Sequence, residues 1–302
     1  MMLIRAFVPA HITAFFVPVI EEDPLKSGSL GAGINLDKGT NVFLSVEEGH
    51  EGNIHVTFNG EPVKREEAVI TYWVAERLLP QDFIGEIEIW QYFDFPNGHG
   101  FANSAGGALG TALTLAYRFG RTLLQAARTA HEAEVRHGGG LGDVVAQLHG
   151  GIEMRVKAGG PGVAVVDNIL VEGYRVLAIP LGRMGTKEVL EGDVIEAIRR
   201  AGEEALEKLL REPTAENMMR LAREFAEGTG LLEGELLEVA REIDRVLSLP
   251  SSMVMLGKSL FALVRENEVK NVKALMMDLN LPYELCGIYW GRPVVGRWIG
   301  GE

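Results

Sequence analysis

Residues 96–110 read PNGHGFANSAGGALG, and the stretch that follows, TALTLAYRFGRTLLQAARTAHEAEVRHG, carries few charges and many small residues. A glycine-rich loop therefore opens a buried helix, and a second helix comes after it. Residues 84–92, just before the loop, alternate Ile87 and Ile89 with Glu86 and Glu88, the period of a strand. A strand, a glycine-rich loop and the start of a long helix bring backbone N–H groups and the positive helix end together, and that arrangement binds phosphate. Gly98 and Gly100 fit the first two positions of a dinucleotide fingerprint. The third position is Asn103 and no repeated βαβ pattern follows, so that fold is excluded. A lone glycine-rich turn can equally be structural, and the residues alone leave both readings open.

Outward from the loop, the first 95 residues read mostly as strands: a short apolar run at 3–8, NVFLSVE at 41–47 and NIHVTF at 53–58, with the charged EGHEGN between the last two as a loop. Residues 66–79 place Val69, Trp73, Val74 and Leu78 on one helical face. Downstream, HGGGLGDVVAQLHGGIEMRVKAGGPG is a second glycine-rich block with a short helix at 143–149 and a strand at 152–157. After Gly173 a strand is expected at 175–180. Amphipathic helices are expected at 189–211, 215–227 and 233–247, and two more helices near 258–265 and 267–276. The change of texture puts a soft boundary near residue 172. It separates an N-terminal unit, 1–172, that holds the loop from a helix-rich α+β unit, 173–302.

With 29 Lys and Arg against 42 Asp and Glu, the chain carries a formal charge of −13, which argues against nucleic acid and anionic membranes as partners. The single cysteine, Cys286, forbids an intrachain disulfide and fits a reducing compartment. The apolar N-terminus is interrupted by Arg5, Pro9, His11 and Pro18, so a signal peptide is not expected. A cytoplasmic protein is the expectation. His99, His137 and His149 fit no zinc spacing. Gly257-Lys258-Ser259 ends like a Walker A loop, but Ser252 stands where its opening glycine belongs and Met253, Val254, Met255 and Leu256 fill the middle. Four large apolar side chains do not suit a loop that wraps phosphate.

PNGHGFANSAGGALG resembles the second motif of the GHMP kinases, a phosphate loop written Pro-x-x-x-Gly-Leu-Gly-Ser-Ser-Ala. RAFVPAHITAFFVP resembles the first motif of that superfamily and SSMVMLGKSLFAL a divergent third one. Ala102 replaces a glycine, Asn103 replaces the first serine, and the third motif keeps only Gly257. With GSLGAGINL and GLGDVVAQLHGGIEMRVKAGGPG, these departures resemble one branch from end to end, the archaeal pantoate kinases. The resemblance implies a two-domain α+β fold with the active site between the domains. It implies ATP-dependent phosphorylation of the primary hydroxyl of pantoate, and a homodimer. A GHMP-type kinase of another small alcohol, such as homoserine or a mevalonate derivative, stays open, as does a non-catalytic ligand-binding protein.

On that resemblance Gly98, Gly100, Asn103, Ser104, Ala105 and Gly106 would bind the nucleotide. Mg2+ takes oxygen ligands, and Ser104 with Glu134 would supply a hydroxyl and a carboxylate. Asp143 matches the catalytic aspartate that accepts or orients the hydroxyl proton. Arg155 would clamp the substrate carboxylate. His131, three residues before Glu134 on the same helical face, would lie beside the metal ligand. Ser29, in a GSLGAG turn, and Thr186 are further substrate contacts. Each has a plain structural alternative: a helix N-cap for Ser104 and Asp143, a solvated helix face for Glu134 and His131, a salt bridge to Glu153 or Asp143 for Arg155, and local turn bonds for Ser29.

Overall fold

The structure is a computed structural model and describes residues 2–49, 52–184 and 194–299. It opens with two long strands, β1 (Leu3–Val19) and β2 (Gly28–Glu48), paired antiparallel along almost their whole length. There follow β3 (Asn53–Phe58), β4 (Glu61–Pro62), α1 (Val69–Leu78), β5 (Gly85–Phe93), α2 (Asn103–Phe119), α3 (Leu123–His137), α4 (Asp143–His149), β6 (Ile152–Lys157) and β7 (Val165–Ile169). The second part holds β8 (Tyr174–Gly182), α5 (Val194–Arg211), α6 (Ala215–Gly228), α7 (Gly234–Asp244), β9 (Ser252–Met253), β10 (Lys258–Arg265), α8 (Val269–Asp278), β11 (Glu284–Cys286) and β12 (Val294–Arg297).

The strands build two sheets. In the larger the order is β12-β1-β2-β5-β3-β4, with β6 on β2 and β7 on β6; the smaller runs β11-β8-β10-β9. The length of β2 explains the larger sheet. Its residues Thr40–Glu48 pair with β5, and Gly31–Ile34 pair with β6. Two sub-sheets therefore share one spine. At the end of the chain β12 returns to pair with β1.

β1 also joins two hydrophobic cores. Ile4, Ala6 and Val8 pack with Val42, Leu44, Ile87 and Ile89 under the small buried residues of α2, such as Ala108 and Ala112. From Ala10 onward, Ile12, Phe15 and Phe16 pack instead with the second part of the chain, including Phe225, Leu260 and Phe261. The change of partner falls at a register shift between Pro9 and Ala10. Local chemistry fixes the helix starts. At α3 Thr122 accepts from the backbone of Gln125 while the Gln125 side chain accepts from the backbone of Thr122. At α6 Thr214 accepts from Asn217 N.

Several expectations change. The helix expected at 258–265 is the strand β10. Its interior, Ser259–Val264, is wholly buried between β8 and β9, and a continuous apolar run of that length has no period to tell strand from helix. The GSLGAG segment is extended in β2 rather than turned. The run at 3–8 is only the first third of a 17-residue strand. The helix expected at 189–211 is described from Val194, residues 189–193 lying outside the described residues.

Candidate active site

The loop after β5 reaches α2 through left-handed backbone. Gly98 and Gly100 have φ of +80° and +87°, and Ala102, the N-cap of α2, has φ 57° and ψ 33°. A left-handed alanine is uncommon, and such strain gathers at functional loops. Asn103 Nδ2 donates to Phe95 O at 2.8 Å and to Asn97 Oδ1 at 2.7 Å, which latches the loop shut. The Asn103 side chain therefore shapes the loop, and its backbone N–H is the donor that remains available. Gly106 departs from the expected set: its N–H donates to Ala102 O inside the helix and its Cα lies against Thr40. The first amides of α2, those of Asn103, Ser104 and Ala105, precede that first intrahelical bond.

The Gly-Lys-Ser segment braces this loop from behind. Ser259 Oγ donates to His99 O at 2.9 Å, Gly257 packs on the same carbonyl, and Lys258 points to solvent. The loop forms one wall of a cleft of about 330 Å³, with Asn97, Gly100, Ser104, Glu134, Gly140 and Asp143 among its lining residues.

Ser104 and Glu134 meet across the cleft. Ser104 Oγ donates to Glu134 Oε1 at 2.6 Å, and Gly140 N donates to Glu134 Oε2 at 2.7 Å. Glu134 is 1% exposed, so the solvated-face alternative does not describe it. Burial, together with the charge of Asp143, raises its pKa to about 7 against the pull of the Ser104 and Gly140 hydrogen bonds. A hydroxyl beside a buried carboxylate is an all-oxygen donor pair that suits Mg2+.

Asp143 is the first residue of α4 and does not cap it; the N-cap is Gly142. Its Oδ1 lies 2.8 Å from His11 Nδ1, and His11 Nε2 lies 3.0 Å from Glu153 Oε1. Arg155 Nη1 donates to the same Glu153 oxygen. The four side chains form a row of alternating sign, of which only Asp143 reaches the cleft, with 20% of its side chain exposed. Burial works to raise the Asp143 pKa, but the hydrogen bond and charge of His11 and the charge of Arg155 outweigh it and hold the carboxyl below its usual range. For His11 burial favours the neutral ring, and the two carboxylates overcome it and raise its pKa.

Two glycines fit this loop around its carboxylates. A Cβ at Gly139 would overlap Glu134 Oε2, and one at Gly140 would overlap Asp143 Oδ2. Gly140→Ala should therefore displace Asp143 and, on the expectation that Asp143 is the reacting carboxylate, lower kcat by about a hundredfold, the usual penalty for a misplacement of an ångström. Steady-state assays checked against an unchanged far-UV spectrum would decide it.

The remaining expected residues are placed unevenly. Ser29 lies on β2 and lines a side pocket of about 20 Å³ that shares Thr13, Gly139 and Asp143 with the main cleft. Arg155 is 1% exposed behind Gly142, paired with Glu153 as the structural alternative has it, while its Nε and Nη2 have no hydrogen-bond partner. His131 is 1% exposed, and its Nε2 lies 3.0 Å from both Pro24 O and Ser27 O, so it holds the turn that leads to Ser29. Burial lowers its pKa, and its Nδ1 is buried without a partner. Thr186 lies outside the described residues. Sequence reasoning missed His11, and it named Glu153 only as a salt-bridge partner for Arg155, a pair the structure contains. The only available signal was a histidine alone in the apolar strand PAHITAFF.

Residues 69–151, the span from α1 to the glycines before β6, match the family of GHMP kinases N terminal domains. The chain is 68% identical over 300 residues to "Pantoate kinase" of Thermococcus kodakarensis, covering 99% of this chain and 100% of that one. It is 33% identical over 288 residues to "Pantoate kinase" of Methanocaldococcus jannaschii, covering 94% and 100%. Among solved structures, "Phosphotransferase related to CoA biosynthesis pathway" superposes with a TM-score of 0.95 at 66% identity, over 99% of this chain and 100% of that one. Homoserine kinase from Cytophaga hutchinsonii gives 0.72 at 17% identity over 98% of each chain, a likeness of fold alone. A loop that opens a long helix, a hydroxyl–carboxylate pair at its mouth and a third motif that braces it thus occur in a chain that belongs, along its whole length, to the pantoate kinase family of the GHMP kinases.

Proposed function

We propose that the protein transfers the γ-phosphoryl group of ATP to the primary hydroxyl of pantoate, giving 4-phosphopantoate, a step of coenzyme A biosynthesis. The observation that carries this reading is the meeting of the Ser104–Glu134 pair and the Asp143 carboxylate at the mouth of one phosphate-type loop. The relatives that bear the pantoate kinase name and match almost all of the chain support the choice of substrate.

In this reading Gly98, Gly100 and the amides of Asn103, Ser104 and Ala105 hold phosphate oxygens at the positive end of a 17-residue helix. Ser104 Oγ and Glu134 hold Mg2+, which when bound neutralises charge on the phosphates. Asp143, ionised at neutral pH, accepts the hydroxyl proton as the oxygen attacks. The small side pocket brings Ser29 next to Asp143, where an acceptor alcohol has to lie. Arg155 has two donors without a partner that this reading assigns to the substrate carboxylate, although they lie behind Gly142 and outside the cleft, and His131 sets the turn before Ser29. Thr186 belongs to the same proposed set. A division into units 1–172 and 173–302, a homodimer and a cytoplasmic location also belong to this proposal. The negative charge of the chain disfavours nucleic acid as a partner, and among the described residues no helix is long and apolar enough to cross a membrane.

ADP release measured with pantoate, homoserine and mevalonate tests the reading. A kcat/KM highest for pantoate supports it, a preference for another alcohol moves the protein to a neighbouring activity, and release with none of them overturns it.

Arg155 provides a separate check. Arg155→Ala should raise the KM for pantoate about ten- to a hundredfold, the worth of a charge-assisted hydrogen bond, and leave that for ATP much less changed. The variant should also lose stability by about 3–5 kcal/mol, because the buried row of Asp143, His11 and Glu153 is left with an uncompensated negative charge. Arg155→Met with Glu153→Gln removes both charges and should recover stability without recovering the pantoate KM. Recovery of both would make Arg155 purely structural.

A further inference from the structure

We propose that His11 is a positioning residue for the phosphoryl transfer: gripped by Asp143 on one ring nitrogen and Glu153 on the other, it fixes Asp143 Oδ1 so that Oδ2 faces the acceptor hydroxyl. This rests on Asp143 being the proton acceptor.

Four observations carry it. First, both ring nitrogens face carboxylate oxygens, at 2.8 and 3.0 Å. Ionised carboxylates only accept, so a ring that bonds to both carries both protons. Second, His11 is completely buried, and the charged groups that face it are Asp143 from α4 and Glu153 from β6, with Arg155 beyond Glu153. With the ring protonated these four groups sum to zero charge; with it neutral, a net negative charge would be buried. Third, the fold makes room for the ring. A Cβ at Gly33 on the adjacent strand would overlap His11 Nε2, and His11 N donates to Phe101 O at 3.3 Å, inside the phosphate loop. Fourth, His11 stands where β1 passes from one core to the other, two residues after Pro9, whose carbonyl accepts from Gln147 Nε2 of α4 at 2.9 Å. The strand is thus tied to the helix that carries Asp143, and the ring aligns the carboxylate on that base. The same row joins the proton acceptor to Arg155 at the other end through a single glutamate oxygen.

Steady-state kinetics on single and double variants test the inference. His11→Gln should keep its fold and its KM for ATP and lose about a hundredfold in kcat, as expected when a reacting group loses its alignment. In an Asp143→Asn background the same change should lower the residual rate by less than about threefold, because a residue that acts through another adds nothing once the other is gone. A full additional hundredfold loss in that background overturns the inference. So does a near-normal kcat for His11→Gln beside a crippled Asp143→Asn. A near-normal kcat for Asp143→Asn itself instead overturns the proton-acceptor reading. Should His11→Gln fail to fold, ¹⁵N NMR of the histidines in the unaltered protein decides: His11 is expected with both nitrogens protonated at pH 7, and a neutral ring there overturns the inference.

Discussion

Asp143→Asn should lower kcat by about 10²- to 10⁴-fold, the range spanned by loss of a positioned general base, while ATP affinity stays within about twofold. The two halves of this expectation have different sources. The amide is a poor proton acceptor, so the step in which the hydroxyl oxygen attacks loses its partner. In the proposed reading the nucleotide lies on the other wall of the cleft, along the loop from Gly98 to Ala105, which makes no hydrogen bond to Asp143. Folding should survive, because Asn Oδ1 can still accept from His11 Nδ1 and the residue does not cap α4. The pH profile adds a sign. Since Asp143 is held below the usual carboxylate range, the wild-type rate should not lose this group between pH 5 and 8. ADP release and ATP titration on the purified variant are the measurements. A near-normal kcat would leave Asp143 as an anchor for His11 and nothing more.

The legible parts of this protein were those with a period or a special backbone residue. The helices α2 and α3, the strands β3 and β6, and the loop between β5 and α2 follow from spacing and glycines. The strand β10 did not, because its residues are buried on both faces and alternation disappears when neither face meets water. Nor did the extent of β1 and β2. The glycines at 28–33 read as a turn, whereas Gly31 and Gly33 are there because the Phe15–Phe16 backbone and the His11 ring come too close for side chains. The site divides in the same way. Ser104 and Asp143 lie in or just after glycine-rich blocks that mark a backbone with work to do, and Glu134 lies just before one. His11 and Glu153 sit in ordinary strands, and their meaning comes from pairing across β1, β2 and β6, which sequence spacing does not express. Burial was the other hidden quantity. Glu132 and Arg136 made Glu134 look like one charge on a solvated face, yet it points inward from the side of α3 that carries Ala130 and Ala133.

Glu134→Gln should abolish most turnover and at the same time stabilise the ligand-free protein at pH 8. The carboxyl titrates near 4.5 when exposed and at about 7 in the folded chain, where it is 1% exposed. Between those values the folded state binds more protons than the unfolded one, so stability falls as pH rises from 4.5 to 7 and stays low above it. The difference corresponds to about 3 kcal/mol of penalty for holding the ionised group in place. Glutamine carries no charge and keeps an oxygen for the Gly140 N–H, so it should recover about 1–3 kcal/mol at pH 8. At pH 4 the wild-type carboxyl is already protonated, and the two proteins should unfold together. Magnesium should reverse the order, since a cation between Ser104 and Glu134 offsets the same penalty in the wild type and finds no anion in the variant. Thermal unfolding at pH 4 and pH 8, with and without Mg2+, reads all four cases. Equal destabilisation by glutamine at both pH values would mean that the carboxylate is held by its hydrogen bonds and costs the fold nothing. The opposing effects expected on stability and turnover would instead mark a charge kept in the core because the phosphoryl transfer needs it there.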